Sequence, residues 1–178
     1  MSFRSRIRGI GGRSTIPRGT TVINLLYPNK STGTDTLGTT AGFDKVRGTE
    51  TVTSSTAEFK QGSRSCKVIT IGSDDSEGVN LGEESLAVGT YTFSAWVKTT
   101  NGTPIAISIQ GGGMAKADVT VSGTGDWQLM QTTRTTLTTA ISVKYIYTPS
   151  AEAITFYIDQ VQFETGPVAN SWVLGSGS

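Results

Sequence analysis

Gly89-Thr90-Tyr91-Thr92-Phe93-Ser94-Ala95-Trp96-Val97-Lys98 is the stretch that decides the fold. Tyr91, Phe93, Ala95 and Val97 recur at every second residue, so in an extended chain all four point to one side. A helix would scatter the same four around its axis. The alternation predicts a strand with one apolar face set against a core. It places Trp96 on the other face, either covering the sheet or lying open on it. The branched threonines between the apolar positions suit a pleated surface and disfavour a helix interior.

Working outward from this strand, the period of two recurs. Ile105, Ile107 and Ile109 share a face opposite Ala106 and Ser108, and Val119 and Val121 alternate next. Trp127 and Leu129 follow the Gly125-Asp126 turn, with Trp127 expected to plug the end of the fold. Ile141, Val143, Tyr145 and Tyr147 alternate again, so Tyr145 and Tyr147 share a face, either as a core stripe or as an open aromatic platform. In the last strand Ile154, Phe156 and Ile158 face one way, while Val161 and Phe163 face the other. That switch requires a bulge near Asp159 or cover on both faces. Upstream, residues 66–71 read as a strand ending at Gly72, and residues 22–27 as a short first strand. Residues 28–42 carry loop chemistry in Pro28, Asn29, Gly33, Gly38 and Gly42. Residues 43–60 hold one or two weak strands, and residues 83–86 at most a turn of helix. Many short strands with Gly-, Asn- and Pro-bearing turns predict an all-β, antiparallel two-sheet sandwich.

The chain has 178 residues, which is one domain at ordinary domain sizes. The expected division is an extended Arg-rich arm over 1–20, a sandwich over 21–174 and a flexible tail over 175–178. The net charge of +1 hides an asymmetry, because Arg4, Arg6, Arg8, Arg13 and Arg18 all precede the first acidic residue, Asp35. Those five arginines create a local positive field. The arm has no lysines and no aromatics between its charges, and the rest of the chain is not basic, so a protein surface is preferred to nucleic acid as its partner. An extended arm can order along a neighbour and add main-chain bonds to a sheet edge; the plain alternative is a disordered leader. No run approaches the roughly 18 apolar residues that a membrane span needs. The arginines have no apolar run behind them, so the N-terminus does not read as a secretion signal.

Enzymatic chemistry is poorly provided for. The chain has no histidine, the usual base near neutral pH and a common metal ligand. The single cysteine, Cys66, has no partner for an intrachain disulfide or for a Cys–His arrangement. It reads as a small buried hydrophobe, with an interchain bond or a reactive thiol as alternatives. Asp74, Asp75 and Glu77 lie between Gly72 and Gly78 as a solvated loop, with a calcium site as the minor alternative; their spacing is not that of an EF-hand. Asp159 sits inside an apolar strand, where burial demands backbone partners or a cation. Gly111-Gly112-Gly113 lacks the Gly-Lys-Ser/Thr of a phosphate loop and reads as a turn. No catalytic residue, metal ligand or cofactor is therefore expected, apart from that minor calcium alternative.

Gly89-Thr90-Tyr91-Thr92-Phe93-Ser94-Ala95-Trp96-Val97-Lys98 also resembles a hallmark strand of carbohydrate-binding-module-like jelly rolls of the family 4/9 type. Asn24-Leu25-Leu26 resembles their opening strand, and Gly62-Ser63-Arg64-Ser65-Cys66-Lys67-Val68 a segment of the form G-x-x-S-x-K-V. Gly125-Asp126-Trp127-Gln128-Leu129 resembles their G-x-W turn. Phe156-Tyr157-Ile158-Asp159-Gln160-Val161-Gln162-Phe163-Glu164-Thr165-Gly166 resembles the closing strand, and Ala169-Asn170-Ser171-Trp172 the tail of its phage versions. The resemblance spans residues 22–174 and leaves out the arm. It implies a jelly roll, a calcium near the sandwich edge in which Asp159 could share, and a non-enzymatic phage virion protein.

Within that class, the arm favours a capsid decoration (cement) or head-surface protein on the phage particle. It would be bound to the major capsid protein or another virion protein and assembled as a homo-oligomer, in the manner of cement trimers. The alternative is a tail or fibre accessory that binds host cell-surface glycans. Trp96, Tyr145 and Tyr147 are the candidate glycan-binding residues, and Arg4, Arg6, Arg8, Arg13 and Arg18 the candidate partner-binding residues.

Overall fold

The computed structural model describes residues 24–26, 40–111 and 117–173. The five arginines of the arm, the 175–178 tail, Tyr27, Gly112 and Gly113 lie outside the described residues. Ten strands form among those described, and no helix. They are β1 (Asp44–Lys45), β2 (Thr51–Ser55), β3 (Ser65–Ile69), β4 (Gly78–Leu86) and β5 (Gly89–Thr99). Then follow β6 (Pro104–Gln110), β7 (Ala117–Ser122), β8 (Gln128–Thr136), β9 (Ala140–Tyr147) and β10 (Thr155–Thr165). Two five-stranded sheets result, in the orders β1-β4-β9-β6-β7 and β2-β3-β10-β5-β8. Every strand pair is antiparallel. The arrangement is a jelly-roll sandwich.

Tyr91, Phe93, Ala95 and Val97 of β5 are all buried between the sheets, as are Ile105, Ile107 and Ile109 of β6. Their burial removes apolar surface from water, the main force holding the two layers together. Tyr91 stacks on Phe163 of β10 with ring centroids 5.7 Å apart. The switch of face in β10 is a bulge. Pairing with β5 slips between Asp159 and Gln162, and Gln160 takes a left-handed φ of 47°. The extra residue turns Val161 and Phe163 inward beside Phe156 and Ile158, and all four are fully buried. The N-terminal stretch around Asn24 docks beside this bulge, where Leu25 N–H donates to Phe163 O at 2.7 Å.

Two expectations need correction. Residues 83–86 are not a helical turn but the end of β4, a strand the sequence pattern conceals. Its pairing with β9 is irregular between Asn80 and Glu83, where Gly82 has φ 84° and donates its N–H to Asn80 Oδ1 at 2.7 Å. The irregularity breaks the period of two. Next, Leu129 faces outward and is 50% exposed, while β8 turns Met130, Thr132, Arg134 and Thr136 inward. Trp127 is part-exposed at the turn before that strand rather than a buried plug. In β9, where the alternation left open which row faces the core, Ala140, Ser142, Lys144 and Ile146 turn inward and the more apolar row, from Ile141 to Tyr147, faces outward.

The inward cations are accommodated specifically. Arg134 donates to Ile109 O at 2.8 Å and to Gly111 O at 3.2 Å. Lys144 Nζ lies 4.9 Å from the Phe163 ring centroid and 3.7 Å from Glu84 Oε1. Gly111 follows β6 at φ 127°, where a Cβ would lie 2.0 Å from Ile141 O. No other residue fits there without moving the backbone.

Candidate functional site

Each sheet has an outer face, and each outer face carries an aromatic site. On the first sheet, Tyr145 and Tyr147 project outward from β9. Tyr145 is flanked across the strands by Asn80 and Ser108, and Tyr147 by Gly78 and Ala106. These small neighbours leave low ground beside the rings. Tyr147 is nearly buried and Tyr145 part-exposed. With Val46, Arg47, Ser76 and Gln110 they enclose a pocket of about 220 Å³. Arg47 is positioned from both ends. Its N–H donates to the buried Glu50 Oε1 at 2.8 Å, which also accepts Gly78 N–H at 2.9 Å. Its guanidinium reaches Asp75 O at 3.1 Å and Asp75 Oδ1 at 3.3 Å, with Asp74 Oδ2 at 3.6 Å.

The acidic loop is thus divided in its roles. Asp74 and Asp75 are exposed and pair with Arg47. Glu77 is buried and accepts Thr49 Oγ1 at 2.7 Å, Ser73 Oγ at 3.1 Å and Gly72 N–H at 2.7 Å. Burial pushes its carboxyl up, but these hydrogen bonds outweigh burial and hold it below its ordinary value. Among the described residues no three Cys, Asp or Glu side chains converge as a metal-ligand group. Cys66 is fully buried, and burial pushes its thiol well above the usual range, so it stays protonated.

On the second sheet, the outward rows run Leu129–Trp96–Asp159 and Gln131–Ser94–Gln162. Asp159 is a backbone-bonded carboxylate. Its Oδ2 accepts the N–H groups of Lys60 (2.7 Å) and Gln61 (3.0 Å), and its Oδ1 accepts Gln160 N–H at 2.7 Å. These bonds fasten the 58–61 loop beside Trp96, and Lys60 Nζ sits 3.9 Å from the Trp96 ring centroid. Further along, the buried Glu164 accepts Gln162 Nε2 at 2.7 Å, Asn170 N–H at 2.9 Å and Asn170 Nδ2 at 2.6 Å. Gln162 Oε1 in turn accepts Val173 N–H at 2.8 Å. The chain after β10 is thereby tied back across the sheet, and Trp172 joins Trp96 in lining a groove of about 520 Å³. Gln61, Gln160 and Ser171 line it too, and Gln160 Nε2 donates to Gln61 Oε1.

The structure therefore separates the candidate aromatics. Tyr145 and Tyr147 share one site, and Trp96 belongs to another on the opposite face. Trp172, Gln162, Asn170 and the positioning Glu164 were not singled out from the sequence as site residues. The only signals they gave were the closing-strand resemblance, which includes Gln162 and Glu164, and the tail resemblance through Ala169-Asn170-Ser171-Trp172.

No family model matches the chain, and no curated protein does. Solved structures do. A family 61 carbohydrate-binding module, TmCBM61, in complex with β-1,4-galactotriose is similar at 19% identity and TM-score 0.59, over 80% of this chain and 99% of that one. The family 22 xylan-binding domain of Paenibacillus barcinonensis Xyn10C matches at 19% identity and TM-score 0.57, over 74% of this chain and 90% of that one. A Clostridium thermocellum xylanase fragment, a family 22 module joined to a catalytic module and complexed with xylohexaose, matches at 18% identity and TM-score 0.62. That match covers 86% of this chain and 30% of the fragment. At such identities the likeness is one of fold: a carbohydrate-binding-module-like jelly roll.

Proposed function

We propose that the chain is a non-enzymatic phage virion protein whose sandwich binds glycan on the tyrosine face. The observation that carries the glycan part is the pocket in which Tyr145 and Tyr147 meet Arg47, Ser76 and Gln110. Aromatic rings supply flat apolar area for the C–H face of a sugar ring, and the polar groups around them fix its hydroxyls. A similar fold is seen in complex with β-1,4-galactotriose and another is described as a xylan-binding domain, which supports the same ligand class here. The non-enzymatic part is supported by how the carboxylates are used: Glu77 and Asp159 are occupied by hydrogen-bond donors, and Asp74 and Asp75 pair with Arg47. Calorimetry of the full chain against xylohexaose, β-1,4-galactotriose and bacterial cell-wall fragments tests the reading. Saturable binding that weakens roughly 30-fold in Tyr145→Ala is expected, the effect of losing a central aromatic contact. Heat-silent titrations with every probe, repeated by a second method, refute it.

The virion part rests on the resemblance of Ala169-Asn170-Ser171-Trp172 to the tail of phage versions of this jelly roll, and the arm favours the head surface. Five arginines ahead of the first acidic residue suit an acidic capsid surface, with a trimer multiplying each modest contact. Deleting residues 1–20 should abolish attachment to particles and leave the sandwich folded. Undiminished attachment would remove the anchor role and favour a tail or fibre position.

A further inference from the structure

The Trp96–Trp172 groove lies on the face opposite the tyrosines, and glycan binding at Tyr145 and Tyr147 makes no use of it. We infer that this groove is a second saccharide site, taking a short segment of an uncharged glycan, so that one molecule holds two chains on opposite faces. The chemistry of the lining sets the ligand class. Two indoles, both part-exposed, provide apolar plates. Gln61, Gln160 and Asn170 provide amides carrying donor and acceptor atoms, the complement of neighbouring sugar hydroxyls, while the buried Gln162 spends its amide on Glu164 and Val173 and forms the floor. Among the described residues no charged side chain lines the groove. Glu164 is buried behind it, and Lys60 caps Trp96 from outside the lining.

The groove is also built in advance. Asp159 and Glu164 are each 1% exposed, and apart from Lys60 N–H the donors given above come from Gln61, Gln160, Gln162 and Asn170 of the groove's own walls. The amides and the Trp172 segment are therefore fixed before a ligand arrives, which removes an ordering cost from binding. Anchoring the chain after β10 requires Glu164 but does not require two indoles facing one open groove. Sites on opposite outer faces cannot share one short oligosaccharide, so the consequence is bridging of separate chains and avidity on a dense glycan surface.

The inference shares with the tyrosine reading only its ligand class, and the two fail separately. The full chain, labelled with nitrogen-15 in tryptophan, gives one indole N–H signal each for Trp96, Trp127 and Trp172. It is titrated to millimolar levels with xylohexaose, cellohexaose, β-1,4-galactotriose, chitohexaose and mannohexaose. With at least one probe, Trp96 and Trp172 should shift together and saturate while Trp127 stays still. Trp172→Ala should weaken that event roughly 30-fold or more, and Trp96→Phe less. Tyr145→Ala should leave it unchanged. Still indoles at Trp96 and Trp172 with every probe overturn the second site, whether or not the tyrosine face responds. Indole shifts that vanish in Tyr145→Ala overturn it as well, because they would report one site felt through the core.

Discussion

The two outer faces of the sandwich reach an aromatic site by different routes. On the tyrosine face the aromatics stand two residues apart on one strand, and short neighbours on β4 and β6 make room for them. The tyrosine pair is a property of the sheet itself, and Val46, Arg47 and Ser76 complete the pocket from the loops beside it. On the tryptophan face the two indoles are 76 positions apart in the chain and meet only because two buried carboxylates pull a loop and a returning segment onto the sheet. A site made of sheet should survive any change that leaves the strands paired. A site made by tethering should be lost with its tether.

Asp159→Ala should produce the largest effect and the sharpest contrast. It removes the acceptor of three backbone N–H groups at a buried position. Orphaning buried donors costs on the order of 1–3 kcal/mol each, moderated where water reaches them. A loss of about 3 kcal/mol in urea unfolding is expected. The 58–61 loop should detach with it, freeing Lys60 from the Trp96 ring and shifting the Trp96 indole signal. Saccharide response at Tyr145 should persist in whatever fraction remains folded. Equal loss at both faces would break the distinction.

Glu164→Gln comes next. The glutamine keeps the shape but replaces one acceptor oxygen with a donor that faces Gln162 Nε2 or Asn170 Nδ2. A cost of about 1–2 kcal/mol follows from the mismatched bond. Trp172 should become more exposed, read as a red shift of its fluorescence, with the tyrosine pocket unaltered.

The same difference explains what could be read from the sequence. The β5 face was legible because Tyr91, Phe93, Ala95 and Val97 keep strict phase, and the β10 bulge because Val161 and Phe163 fall out of phase with Phe156 and Ile158. Strand β4 was illegible because its phase slips at Gly82 and the polar Glu83, Glu84 and Ser85 follow, so that Leu86 alone marks the new phase. In β9 the alternation gave the period but not which row faces the core. Lys144 occupies the inner row because Phe163 and Glu84 receive its ammonium, a tertiary fact that no local pattern carries. Tyr145 and Tyr147 could be paired from their spacing alone. Trp172 could not be paired with Trp96, because the connection runs through Glu164 and Asn170 rather than through any spacing.

Acid should distinguish the two faces again, with a smaller effect. Glu77 adjoins Ser76 of the tyrosine pocket and is held below its ordinary value of 4.5. A depressed carboxylate favours the folded state while it is ionised. Its contribution is therefore fully present above about pH 4.5 and disappears as the pH falls through the lowered folded-state value. Urea unfolding in a descending pH series should show that loss, and Glu77→Gln should flatten the acid limb while lowering stability at neutral pH. An acid limb unchanged in Glu77→Gln would show that the hydrogen bonds from Thr49, Ser73 and Gly72 carry no net preference for the charged form.

Arg47→Ala should have the smallest effect on stability and still inform the comparison. The Arg47 side chain and its partners Asp74 and Asp75 are 42%, 50% and 66% exposed, so the ion pairs contribute less than about 1 kcal/mol. The backbone N–H of Arg47, not its side chain, holds Glu50, and that bond survives the substitution. Unfolding should scarcely change. Saccharide affinity at the tyrosine face should fall several-fold, because the guanidinium is the one cationic group lining that pocket among the described residues. The groove at Trp96 and Trp172, lined by amides and indoles, should not respond. If Arg47→Ala instead leaves tyrosine-face affinity intact, then Tyr145 and Tyr147 bind by stacking alone, and the two faces differ in how they are built but not in how they hold a sugar.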